Sequence, residues 1–158
     1  MNFTDRNQQR GAALITSLVI VLVISVLGIS IARQVITQRK VSSSNYDQIV
    51  TFADAESGLQ EGETVVEENK SDLPTLYALS GVKQAAFVSS DWWKTSGHWA
   101  SAAEATNGGI SLHGGPKYMI EDMGLDSSNS RRIFRITATA TGAGGAETFL
   151  QSHYAILE

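Results

Sequence analysis

From Gly11 to Ala32 no side chain is ionisable, and leucine, isoleucine and valine fill most positions. About twenty such residues cross a bilayer core as a helix, at ~1.5 Å rise per residue. A buried soluble helix of that length with no polar face is unusual, so the run predicts a membrane-inserted stem. Past Lys40 the pattern narrows to one apolar face, with Tyr46, Ile49, Phe52, Ala53, Leu59 and Val66 recurring at about 100° per residue. No proline precedes Pro74, and one helix from about Ala12 to near Asn69 would measure on the order of 85 Å. Its first half suits lipid or neighbouring stems, and its second half needs a partner on one face only. The patch Ser42-Ser43-Ser44-Asn45 favours helix poorly and marks either a bend or a solvated junction.

After Pro74, which removes a backbone donor and restricts its predecessor, residues 75–115 are polar and punctuated by glycine, with room for a short helix at 82–88. The period then becomes two. "KYMIED" (117–122) reads as a short strand. In "IFRITATAT" (133–141), Phe134, Ile136, Ala138 and Ala140 share one face. "GAGG" (142–145) supplies a turn, and "ETFLQSHYAIL" (147–157) returns with Leu150, Tyr154 and Ile156 inward. The predicted fold is α+β: a long N-terminal helix whose second half packs on a C-terminal antiparallel sheet. The expected core between them is Ile49, Phe52, Leu59, Phe134, Ile136 and Tyr154.

Charge and composition narrow the function. The net charge is −4 and the tail holds no basic cluster, which argues against a nucleic-acid partner. There is no cysteine and hence no disulfide. Arg6, Arg10 and Asp5 precede the apolar run, and Arg33, Arg39 and Lys40 follow it, a mixed signal for orientation. The economical arrangement puts the short head inside and the long tail outside. A secretory signal peptide would be shorter, with its small residues at the far end; here Gly11, Ala12 and Ala13 stand at the start.

The abrupt Gln-Gln-Arg-Gly junction resembles the class III signal of type IV pilins and pseudopilins. That resemblance implies a leader, residues 1–11, cut by prepilin peptidase between Gly11 and Ala12, with Ala12 a candidate for N-terminal methylation. It also implies a stem at 12–40, its amphipathic continuation at 41–70, and a periplasmic or extracellular α+β region at 71–158. "FADAESGLQEGE" (52–63) and the tail "FRITATATGAGGAETFLQSHYAI" are similar to PilX-type minor pilins, although Asp54 departs from the usual small apolar residue. Glu56 and Glu63 lean toward the apolar stripe, where buried carboxylates need partners; either Arg132 or Arg135 supplies one, or both acids sit at the edge of the stripe in water.

Most pilins carry a glutamate at the fifth mature position, which here is Thr16. With no carboxylate in the stem, the resemblance points to a scarce subunit at or near a pilus tip, one that initiates assembly. Implied partners are other minor pilins, the major pilin, prepilin peptidase, the inner-membrane assembly platform and a PilY-type tip adhesin. The implied location is the bacterial inner membrane, then the pilus. Rival readings are a tip pseudopilin of type II secretion and a single-pass anchored periplasmic binding domain.

No catalytic constellation or cofactor site emerges. His98, His113 and His153 lack helical metal-pair spacing, and no Gly-x-Ser-x-Gly elbow or phosphate loop occurs. "EDMGLDSSNS" gathers Glu121, Asp122, Asp126 and Asn129 as a candidate calcium site, with Asp122 and Asp126 its main ligands, though the spacing matches no EF-hand loop. Trp92, Trp93 and Trp99 could form a surface for sugar or a neighbouring subunit; the expectation is core for at least one of them and a subunit contact for another.

Overall fold

The computed structural model describes residues 6–87, 91–106, 114–128 and 130–157, with 6–11 described by backbone alone. A helix, α1, runs Arg6–Glu68, starting upstream of the expected Ala12. The chain forms two compact units, Met1–Ser43 and Ser44–Glu158. The division falls inside the Ser42–Asn45 patch, which is helical and exposed throughout.

In the first unit α1 is long and apolar enough to cross a membrane. Its large residues from Leu14 to Ile31 all face outward, between 48% and 69% exposed. The four hydroxyls within the run bond back to their own helix: Thr16 to the Ala12 and Ala13 carbonyls, Ser17 to Leu14, Ser25 to Val21 and Ser30 to Val26. Each polar group is thereby satisfied inside the segment, as a lipid environment demands.

In the second unit the helix buries Thr51, Asp54, Ala55, Gly58, Gly62 and Val66 against a sheet. This corrects the expected face, for Ile49 is 68% and Phe52 51% exposed. The buried positions recur at three- and four-residue spacing, but most are small. A Cβ added at Gly62 would stand 2.7 Å from Ile136 Cγ2 and 3.3 Å from Tyr118 Cδ2, and one at Gly58 3.2 Å from Pro116 Cβ. The helix therefore supplies closeness and the sheet supplies bulk. Phe134 and Ile136 are fully buried as expected, with Leu59 and Tyr154 partly buried beside them.

Beyond α1, a short helix, α2 (Leu73–Tyr77), carries Pro74 in its first turn, where no N–H is needed. Asp72 caps it by accepting from Thr75 N at 3.3 Å and Thr75 Oγ1 at 2.6 Å. The helix expected at 82–88 is replaced by β1 (Val82–Lys83), with Val88 outside the described residues. Gly81 sets it up: its φ is +79°, and a Cβ there would meet Ala103 N at 2.6 Å.

The remaining strands are β2 (Ala103–Glu104), β3 (Lys117–Leu125), β4 (Arg131–Thr141) and β5 (Glu147–Leu157). The sheet order is β1-β3-β4-β5, with β2 also beside β3. It is mixed rather than purely antiparallel, because β1 runs parallel to β3. Tyr118, Ile120, Phe134, Ile136, Ala138 and Ile156 form the core on the α1 side. Two 3-10 turns, Trp92–Lys94 and Ser96–Ser101, bring aromatic rings to the other side.

Candidate functional site

Strand alternation sends neighbouring acids to opposite faces. Ile120 joins the α1-side core, so Glu121 points the other way and Asp122 points back. Glu121 is fully buried and stands opposite Arg135. Its Oε2 accepts from Arg135 Nε and Trp92 Nε1, both at 2.9 Å, and its Oε1 from Arg135 Nη2 at 2.7 Å and Phe87 N at 2.8 Å. A buried carboxylate is tolerated when a cation and further donors surround it in this way. Asp122 accepts from Arg132 Nη1 at 2.8 Å, from Gly124 N at 2.7 Å and from Tyr77 Oη. Burial, reinforced by that bond to Asp122, pushes the Tyr77 phenol up to about 12.

The expected ion pairs between helix and sheet are thus corrected. Arg132 and Arg135 pair with the sheet's own Asp122 and Glu121, while Glu56 is exposed. Glu63 instead accepts from Ser152 Oγ at 2.7 Å, and Glu67 from Tyr154 Oη at 2.8 Å. The Glu67 bond raises the Tyr154 pKa, and the bond from Lys70 lowers that of Glu67. The helix carboxylates bind hydroxyls of β5, so they align the last strand rather than neutralise a buried cation.

The acids of the calcium candidate are engaged within the protein. Asp122 is held by the donors just named, and Asp126 accepts from Ser128 Oγ at 2.8 Å, Ser130 N at 3.0 Å and Arg131 N at 3.3 Å. The Ser128 bond leads in lowering the Asp126 pKa. The acidic loop is a turn tied by its own carboxylate, and among the described residues no three acids or histidines cluster for a metal. Asn129 and His113 lie outside those residues.

One clasp escaped the sequence reading. Asp47 on α1 accepts from Gly144 N and Ala146 N, both at 3.0 Å, at the tip of the β4–β5 hairpin. A Cβ at Gly142 would lie 2.3 Å from Asp47 Oδ1, so "GAGG" makes room for the clasp as well as the turn. Near the start of the stem, Gly11 and Ala12 both lie within α1, and the Thr16 hydroxyl is turned to its own backbone.

Two family models match the chain, PilX N-terminal over residues 10–60 and type IV pilus assembly protein PilX C-terminal over residues 41–156. The chain belongs to the PilX type IV pilus assembly family. No curated protein matches it, and no solved structure does. The apolar helix of this PilX-family chain fits a membrane-anchored pilin. Both matched regions share residues 41–60, which include Asp47, Ala55 and Gly58 of the helix face that meets the sheet and its hairpin. Of the three tryptophans, Trp92 is buried against Glu121, whereas Trp93 and Trp99 are half-buried beside Phe149.

Proposed function

We propose that this PilX-family chain is a non-enzymatic minor pilin that helps initiate type IV pilus assembly at or near the tip. In this reading, prepilin peptidase removes residues 1–11 at the cytoplasmic face, Ala12 becomes the N-terminus and a substrate for methylation, and the region beyond the stem is periplasmic before assembly.

The observation that carries the tip assignment is Thr16. A processed stem would present a cationic α-amine at a helix N-terminus, where the dipole is already positive. Buried among apolar stems, that charge is costly unless an anion pairs with it. The glutamate typical of pilins can provide the anion for a subunit already in place. Thr16 carries no charge, its hydroxyl bonds the Ala12 and Ala13 carbonyls, and no acid lies between Gly11 and Ala32. Each such subunit added in the body of a fibre would leave one amine uncompensated. The first subunit has no predecessor, so the absence costs nothing there. Other minor pilins, the major pilin, the assembly platform and a PilY-type adhesin are the partners this role requires.

The test compares intact masses of membrane-extracted wild type and Gly11→Arg, with immunogold localisation of wild type and Thr16→Glu. The expected result is a wild type beginning at Ala12, a variant keeping its leader, and Thr16→Glu spread along fibres. A wild type retaining Met1 would sink the pilin processing, and a Thr16→Glu variant still confined to the tip would sink the electrostatic account.

A further inference from the structure

Five aromatic rings meet in succession on the sheet face away from α1. Phe87 lies on Trp92 with centroids 4.5 Å apart, Trp92 on Trp99 at 5.4 Å, Trp99 on Phe149 at 5.8 Å, and Phe149 on Trp93 at 4.9 Å. The inner end is sealed, with Trp92 only 1% exposed and bonded to Glu121. The outer end surfaces: Trp93, Trp99 and Phe149 are half-buried and line an open groove of about 440 Å³, within the ~300–1,000 Å³ of small-ligand sites.

The rings are fixed before anything binds. Trp99 donates its indole N–H to the Trp93 carbonyl at 2.8 Å, and Trp93 is covered by Lys94 Nζ at 5.0 Å. Lys94 is itself held by Asp91 at 2.9 Å. The rest of the described lining is hydroxyl or charged, namely Lys94, Ser96, Lys117, Thr139, Thr141 and Glu147, and no aliphatic side chain contributes. Thr139 Oγ1 is buried, shut off from solvent, and has no hydrogen-bond partner among the described residues. The exposed hydroxyl-bearing residues of the lining are Ser96 and Thr141.

We propose that this groove is a carbohydrate site that takes a neutral pyranose residue of a glycan. A pyranose ring has an apolar C–H face that suits an aromatic platform, and an edge of hydroxyls that both donate and accept. Ser96 and Thr141 accept and donate, Lys94 and Lys117 donate, and Glu147 accepts, which is the mixed set that edge requires. A protein partner is favoured less, since the cores of such interfaces are depleted in charged residues. An acidic sugar is also favoured less, because Lys117 already faces Glu104 at 3.7 Å, Lys94 is held by Asp91, and Glu147 adds negative charge. The site stands independently of the assembly role.

The test uses full-length protein in a non-glycosidic detergent. Tryptophan fluorescence is titrated with methyl glycosides of glucose, galactose, mannose and N-acetylglucosamine, followed by a glycan array. At least one sugar should perturb the emission saturably, and Trp99→Ala should abolish the response. Thr141→Val keeps the shape and loses an exposed hydroxyl, so it should weaken binding by about five- to tenfold. If Trp99→Ala fails to fold, Thr141→Val and Glu147→Gln carry the test alone. No glycan bound by the wild type, or binding unchanged in Thr141→Val and Glu147→Gln, would overturn the site. So would protection of Trp93 and Trp99 from oxidative labelling by another pilus subunit but by no sugar, which would make the groove a protein contact.

Discussion

Replacing Gly62 by alanine sets two effects of opposite sign against each other. In a helix interior alanine is favoured over glycine by ~1 kcal/mol, so propensity alone predicts a more stable protein. The added methyl, however, would stand 2.7 Å from Ile136 Cγ2, where carbon atoms prefer about 3.5–4.0 Å. Close to 1 Å of separation must open up along the helix–sheet contact. Ile136 is fully buried on β4, between β3 and β5, and its β-branch leaves it little rotamer freedom. Overpacking of this kind costs about 1–3 kcal/mol, so the net change should be a loss of about 1 kcal/mol, or a Tm lower by a few degrees. The assay is thermal unfolding of the detergent-solubilised full chain, followed by near-ultraviolet circular dichroism of the buried Trp92. The decisive arm is the same substitution in an Ile136→Ala background. There the clashing methyl is gone, the coupling should reach ~0.5–3 kcal/mol, and Gly62→Ala should become neutral or stabilising. A Gly62→Ala single variant with a raised Tm, or a penalty identical in both backgrounds, would refute the close-approach argument.

Arg135→Leu leaves Glu121 buried beside Trp92 without its cation, so unfolding experiments should show a loss of about 3–5 kcal/mol; a loss below 1 kcal/mol would mean that Glu121 is relieved by solvent instead. Tyr77 predicts an alkaline weakness. Its pKa rises from 10.0 to about 12 on folding, so the stability owed to its protonated phenol is fully present below pH 10 and is lost as pH climbs toward 12. Tyr77→Phe should flatten the stability profile over that window and remove a late step from the phenolate absorbance titration. An unchanged profile would contradict the burial of Tyr77 and its bond to Asp122.

The parts of the fold written in hydropathy were readable in advance. The unbroken apolar run and the absence of proline announced α1, and strict alternation announced β4 and β5 with Phe134 and Ile136 inward. The helix face was misread because Ala55, Gly58 and Gly62 act by being small, and smallness leaves no mark on a search for large apolar side chains. Glycine at positions 58 and 62, one helical turn apart, was the available signal. The ion pairs were misread for another reason. Which arginine meets which acid depends on register between strands, and a bulge between Asp122 and Gly124 shifts that register. The three tryptophans stood out as core or contact residues, but their neighbour Phe149 was out of reach, because residues 84–102 carry no periodicity from which it could be inferred.

The Asp47 clasp bears on the order in which this protein becomes itself. Asp47 meets partners 97 and 99 residues further along the chain, and Thr51 meets Thr148 at the same remove. Contacts of such high order are slow to form, since the intervening loop must close before they return any free energy. Gly58 and Gly62 can meet Pro116, Tyr118 and Ile136 once β3 and β4 are in place, whereas the Asp47 and Thr51 end of the face waits for residues 144–148. A chain arrested before β5 would leave one edge of β4 unpaired, an exposed template for pairing with another strand, and that edge disappears when the final turn closes on Asp47.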